Sequence, residues 1–186
     1  MTETAETLAH ALVQAAQRAG AGAADAMAVT DTALSVDVRG GTLEQAERSE
    51  STELGLRVLL GRRQACVAAS DTRPETIAAM AERAVAMARE APEDATAGLA
   101  EPGQLARDRD AAALELCDPA PEPDPAALEE DARRAEAAAL AVAGITQVQA
   151  ASAAYGRRQM HLAASNGFSG GFERSDRALS CVAIAG

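Results

Sequence analysis

The sequence predicts an α/β fold of the α+β type: a largely antiparallel sheet with long helices on one face, made from two copies of a helix-plus-strands unit. Three observations carry this expectation. Leu34-Ser35-Val36-Asp37-Val38-Arg39 alternates apolar and polar residues with the period of a half-buried strand, and shorter runs elsewhere do the same. Leu8, Leu12, Ala15 and Ala19, and later Ile77, Met80, Ala81, Ala84, Met87 and Ala88, recur every three or four positions like the buried stripe of a helix. Gly40-Gly41 and Asn166-Gly167 stand between strand-like runs, where two-residue hairpin turns need a left-handed backbone.

The elements follow in order. Residues 4–19 form a helix that Gly20 to Gly22 end, and a strand fits Ala24 to Val29. Leu34 to Arg39 is a second strand, Leu43 to Arg48 a third, and Leu54 to Leu60 a fourth that Gly61 closes. Gln64 to Ser70 returns as the second arm of a hairpin. Asp71-Thr72 offers a cap to a helix with Pro74 in its first turn, running to the residues before Pro92. Residues 92–124 hold scattered proline and glycine and a Pro119-Ala120-Pro121-Glu122-Pro123-Asp124-Pro125 run, and read as an extended connector with a short strand near Leu114 to Cys117. Asp124 caps a third helix that opens with Pro125, buries Leu128, Ala132, Ala135, Ala139 and Val142, and closes at Gly144. Strands are expected at Thr146 to Tyr155, Arg158 to Ala164 and Leu179 to Ala185.

The chain thus divides into a first half, residues 1–91, a connector, 92–124, and a second half, 125–186. An offset of 125 positions lays Gly41 on Asn166 and Leu54 on Leu179, which points to internal duplication. The first half continues past Gly61 into another strand and helix, whereas the second stops at Gly186, so a further C-terminal domain is expected.

Composition excludes several classes of function. The 186 residues are 48% hydrophobic, but Ala supplies more than half of that share and aromatics only 2%, so thin layers packed through small side chains are expected. A net charge of −11 argues against direct nucleic-acid contact, which draws its affinity from clustered cations, and against anionic membrane surfaces. No apolar run approaches the roughly 20 residues of a membrane span, and the acidic N-terminus lacks the features of a secretion signal. Cys66, Cys117 and Cys181 are odd in number and widely spaced, as in reduced cytoplasmic proteins.

A search for chemistry finds no catalytic, cofactor-binding or metal-ligating set. The histidines, His10 and His161, lie in different halves and neither has a second His one helical turn away. His10 lies off the Leu8/Leu12 stripe and is expected at the surface; His161 is out of phase with Met160 and Leu162 and is expected to face solvent or a partner. No G-x-S-x-G elbow occurs, and the chain has no Lys for an ordinary phosphate loop. Glu122, Asp124, Glu129, Glu130 and Asp131 crowd a helix start, where acidic groups complement the dipole. Arg157-Arg158 marks a strand boundary, with a carboxylate or phosphate as the partner its guanidinium groups would suit.

Glu47-Arg48-Ser49-Glu50, Glu53-Leu54-Gly55-Leu56-Arg57-Val58, Gly61-Arg62-Arg63-Gln64-Ala65 and the helix with Arg83-Ala84-Val85-Ala86-Met87-Ala88 resemble, in order and spacing, the amino-terminal signature of the TldD/PmbA family. Ala91-Pro92-Glu93-Asp94, Leu116-Cys117-Asp118-Pro119 and Ala164-Ser165-Asn166-Gly167-Phe168 look like its PmbA (TldE) branch. The resemblance implies a cytoplasmic two-subunit peptidase in which TldD-type chains carry an H-E-x-x-x-H zinc site in a later region, while PmbA/TldE-type chains lack it and act as the partner. It also implies links to unfolded-peptide cleavage and, through an older name, to modulation of DNA gyrase. This chain is then expected to hold no zinc, to pair with a TldD-type subunit or a second copy of itself, and to help form a chamber around unfolded peptide. A binding module acting on gyrase or another protein is the alternative. Self-association is expected through the strand at Leu179 to Ala185, whose outer neighbour the second half lacks.

Overall fold

The computed structural model describes residues 4–186. Its elements are α1 (Ala5–Arg18), β1 (Ala23–Arg39), β2 (Thr42–Leu60), β3 (Arg63–Ala69), α2 (Pro74–Glu90), α3 (Pro125–Leu140), β4 (Ile145–Ala164) and β5 (Ser169–Ala185). The five strands form one antiparallel sheet in the order β3-β2-β1-β4-β5. β2 and β3 pair from Leu54 opposite Ala69 to Leu60 opposite Arg63.

The fold class is as the sequence predicts, but the strands are fewer and longer. The separate strands expected at Ala24–Val29 and Leu34–Arg39 are one, β1; those at Leu43–Arg48 and Leu54–Leu60 are one, β2; those at Thr146–Tyr155 and Arg158–Ala164 are one, β4. The physical reason is the same each time. The intervening residues, such as Thr30-Asp31-Thr32 and Ser49 to Thr52, break the apolar alternation without a proline or a turn-forming glycine pair, so the backbone has no cause to bend. The strand expected near Leu114 is also absent: Ala112–Leu114 is a single 3₁₀ turn, and Glu115 follows at φ 49° in the left-handed region.

Two compact units are built from interleaved stretches. The first takes residues up to Thr30, Ser51–Glu115 and Gln159–Glu173; the second takes Asp31–Glu50, Leu116–Arg158 and Arg174–Gly186.

In the first unit, strand alternation puts Ala24, Ala26 and Ala28 of β1 and Leu54, Leu56 and Val58 of β2 on one buried side. Leu8 and Leu12 of α1 and Ile77, Met80 and Ala84 of α2 pack over them. The alanines let the helices sit close to the sheet, as the composition suggests. Thr4 caps α1 by accepting the Thr7 N–H. Asp71 does not cap α2 as expected; the N-cap is Arg73, without a side-chain cap bond. Asp71 instead accepts from the Arg73 N–H and guanidinium and from Thr76 Oγ1.

In the second unit, Leu34, Val36 and Val38 of β1 pack with Leu128 and Ala132 of α3 and with Ala153 and Tyr155 of β4. Asp124 caps α3 by accepting the Ala126 N–H, with Pro125 behind it, as the sequence predicts. Val142 is not in the buried stripe: α3 ends at Leu140 and Val142 is 57% exposed. In its place is Glu136, 3% exposed, whose two carboxylate oxygens accept the Gly40 and Gly41 N–H groups at 2.6 and 2.7 Å. Those glycines form the β1–β2 turn at φ 59° and 72°, a geometry that side chains with a Cβ rarely adopt. Three of the five acidic residues expected at the start of α3 are paired: Glu122 with Arg48, Glu129 with Arg133, and Asp131 with Arg177 and Arg134. Asn166-Gly167 turns β4 into β5, with Gly167 at φ 90°.

Candidate functional site

The first unit collects its distinctive side chains around the end of the β4–β5 hairpin. Alternation along β4 separates Met160 and Leu162, on one side, from His161 on the other. The two sides have different chemistry.

On the Met160 side, residues 106–114 of the connector border an open, largely apolar pocket of about 320 Å³ lined by Leu114, Met160, Leu162, Phe168 and Phe172. Arg109 stands at its rim, with its guanidinium carbon 5.0 Å from the Phe168 ring centroid, the arrangement of a cation–π contact. Its Nη1 donates to the Ser169 carbonyl and its Nε to the Ala106 carbonyl, each at 3.1 Å, which ties the connector to β5. Asn166 adds a second tie by donating to the Ala100 carbonyl at 2.9 Å, while its own Oδ1 accepts the Phe168 N–H. A neighbouring hollow contains the bidentate pair of Arg57 on Asp25, with Nε to Oδ1 at 3.0 Å. Asp25 holds the Arg57 guanidinium above its ordinary value, against the opposite pull of burial. An apolar pocket rimmed by Arg109 and by Asp108 and Asp110 suits a hydrophobic side chain attached to a polar backbone.

On the other side, His161 meets α1. The Nε2 atoms of His10 and His161 both reach Ser169 Oγ, at 3.0 and 2.8 Å, and their ring centroids are 5.9 Å apart. One hydroxyl carries one proton, so it donates to one ring and accepts from the other, and two neutral rings must present opposite tautomers at Nε2. Glu6 lies one helical turn before His10, and the ligand atoms of Glu6, His10 and His161 all fall within 4.8 Å of one another. Burial pushes the His161 imidazole below its ordinary pKa; Glu6 acts upward and His10 further downward. Gly171 makes room for the ring: a Cβ there would lie 2.3 Å from the Met160 carbonyl oxygen and 2.8 Å from His161 Nδ1.

His10 is therefore not the free surface residue the sequence predicts but is half-buried and hydrogen-bonded. His161 does alternate out of phase with Met160 and Leu162, and the group it faces belongs to this chain's own first helix. Neither association is visible in the sequence, because the two histidines are 151 positions apart. The Glu6–His10 spacing of four was the available signal. In the second unit, Arg157 and Arg158 lie inside β4 rather than at a strand boundary, and Arg158 Nε donates to Asp31 at 2.6 Å. Among the described residues no helix is long and apolar enough to cross a membrane.

Residues 24–88 match the family model for PmbA/TldA metallopeptidase domain 1, and residues 118–186 match that for the PmbA/TldA metallopeptidase central domain. The fold is similar to the crystal structure of a protein described as a modulator of DNA gyrase from Bacteroides thetaiotaomicron, at 18% identity and TM-score 0.80, covering 96% of this chain and 41% of that one. It is similar also to TldE from Thermococcus kodakarensis, at 15% identity and TM-score 0.76, covering 96% and 39%. A protein described as a modulator of a DNA gyrase from Thermotoga maritima gives 14% identity and TM-score 0.65, covering 98% and 40%. The chain spans about two fifths of the length of these solved structures. At such identities the likeness establishes the fold. Curated protein sequences yield no match.

Proposed function

The chain belongs to the PmbA/TldD family, and from that premise we propose that it is a non-catalytic part of a PmbA/TldE-type subunit of a two-subunit cytoplasmic metallopeptidase. In this reading it forms part of the wall of a chamber in which unfolded peptide is cleaved. The observation that carries it is the ordered match to a first and a central family domain, together with a fold similar to that of TldE from Thermococcus kodakarensis. The zinc motif H-E-x-x-x-H needs two histidines on one helix; this chain's two come from α1 and β4, so they do not fit it. The hydrolytic zinc of the family is assigned to a TldD-type partner, and no chemical step is assigned to this chain.

The surfaces suit the role. The pocket at Phe168 and Phe172 would take an apolar side chain, with Arg109 near the peptide backbone. In the second unit, β5 is an edge strand with Leu179, Val182 and Ile184 56%, 52% and 42% exposed, and such an edge pairs with an extended chain through its backbone. Either a TldD-type subunit or a second copy would use it. Co-expression with a TldD-type chain tests the proposal: a stable complex that cleaves unfolded peptide supports it, and failure to co-purify at micromolar concentration overturns it.

A second reading, a module acting on DNA gyrase, draws on the descriptions of two similar structures and on the net charge of −11, which would meet a basic protein surface. Pull-down with gyrase in parallel with the TldD-type chain separates the two.

A further inference from the structure

We propose that Glu6, His10 and His161 form a binding site for a single zinc-like divalent cation, which clamps α1 to the β4–β5 hairpin. The proposal is independent of the family reading, since these residues come from elements that carry no H-E-x-x-x-H.

The argument starts from helix geometry. Glu6 and His10 are four residues apart on α1 and so share a face, one carboxylate and one imidazole stacked a turn apart. The third donor arrives from the sheet. Its direction is fixed by strand alternation, which sends His161 toward α1, and by Gly171, whose missing Cβ leaves the space the ring occupies. Both Nε2 atoms converge on one point, where the Ser169 hydroxyl now bridges them at 3.0 and 2.8 Å. Two imidazoles and a carboxylate are the donor set of borderline cations such as Zn²⁺, and they disfavour Mg²⁺ and Ca²⁺, which take oxygen ligands.

The spacing is that of a site ready to contract. Donor atoms around a tetrahedral zinc with bonds of ~2.0–2.1 Å stand roughly 3.4 Å apart. Here all three lie within 4.8 Å of one another, and Glu6 is exposed and free to change rotamer, so closure needs side-chain movement and a change of tautomer in one ring. Ser169 would give up one hydrogen bond per ring, and the ring whose Nε2 donates to it would carry its proton on Nδ1 instead, so that both Nε2 lone pairs reach the cation. Its hydroxyl, or a water, is left beside the fourth position. One carboxylate and two neutral imidazoles leave the filled site with a net charge of +1, next to the polar hollow that Glu6, His161 and Ser169 line with Gln159 and Glu173. The three free cysteines would bind zinc elsewhere and must be removed from the measurement.

The test uses the full chain with Cys66, Cys117 and Cys181 replaced by Ser, dialysed against Zn²⁺ and analysed for bound metal, with thermal unfolding followed in parallel. The proposal expects one zinc per chain, a higher Tm with zinc and no effect of Mg²⁺. His10→Ala and His161→Ala should each abolish stoichiometric binding, and Glu6→Gln should weaken it. Ser169→Ala should change affinity by no more than about 10–100-fold, the range for a group that hydrogen-bonds to the ligands without binding the metal. Glu6 is exposed, so Glu6→Gln leaves the fold intact even where a histidine variant does not, and Co²⁺ absorption in the same proteins reports whether the bound ion is tetrahedral. Absence of zinc binding, or binding that both Glu6→Gln and His10→Ala leave unchanged, overturns the proposal.

Discussion

Replacing Glu136 with Gln probes the least expected feature of the second unit. The wild-type carboxylate is 3% exposed and accepts both N–H groups of the β1–β2 turn, Gly40 at 2.6 Å and Gly41 at 2.7 Å. Hydrogen bonds to a charged group contribute about 1.5–3 kcal/mol each, and a neutral one about 1 kcal/mol. Gln keeps one acceptor, now neutral, and turns an –NH₂ toward the other glycine N–H. One bond is weakened and one is lost, a gross penalty of about 2–5 kcal/mol. Two effects reduce it: burying the amide costs less than burying the charge, and the exposed turn admits water to the orphaned N–H. We expect a net destabilisation of about 2 kcal/mol. Urea denaturation, with amide exchange at Gly40 and Gly41, measures it. A loss below about 0.5 kcal/mol, with the two amides as protected as before, would show that the carboxylate does not hold the turn.

Three further outcomes follow from particular contacts. Gly171→Ala should lower the Tm and shift the His161 ring resonances, because the new Cβ would meet the backbone oxygen of Met160 at 2.3 Å; unchanged resonances would refute the close packing. Asp71 is held well below the usual carboxylate range, first by its hydrogen bonds from the Arg73 guanidinium and then by Thr76. A depressed folded pKa means its contribution is complete above the unfolded value of 3.8 and is lost as pH falls through the folded one, so NMR titration should find Asp71 still ionised at pH 3; a midpoint near 3.8 would refute this. Val182→Arg with Ile184→Arg should weaken any association through the β5 edge without unfolding the first unit, and light scattering of both proteins at high micromolar concentration reads this directly.

Much of the fold was legible because local chemistry and tertiary structure agree. Pro74 and Asp124-Pro125 mark helix starts, and Gly40-Gly41 and Asn166-Gly167 mark the turns of both long hairpins. What misled was the polar middle of each long strand, where loss of alternation resembles a loop although nothing there bends the backbone. Glu136 could not be found from sequence at all: at a stripe position on an alanine-rich helix, its burial depends on a turn 96 residues away. Neither side of the candidate site was legible. The strand expected from Leu179 begins at Ser169 instead and brings Phe172 beside Phe168, and the Glu6–His10–His161 cluster joins residues of α1 and β4 that are far apart in sequence. The connector, without periodicity, gave no sign that Arg109 would reach Phe168.

The central claim, that this chain contributes to a peptidase without performing the cleavage, is tested most directly by assaying hydrolysis of an unfolded, fluorogenic peptide by the chain alone, by a TldD-type subunit alone, and by the two mixed, each with zinc present. The account predicts no hydrolysis by the chain alone and cleavage by the mixture that a chelator abolishes. Sustained, zinc-dependent hydrolysis by the chain alone would contradict it.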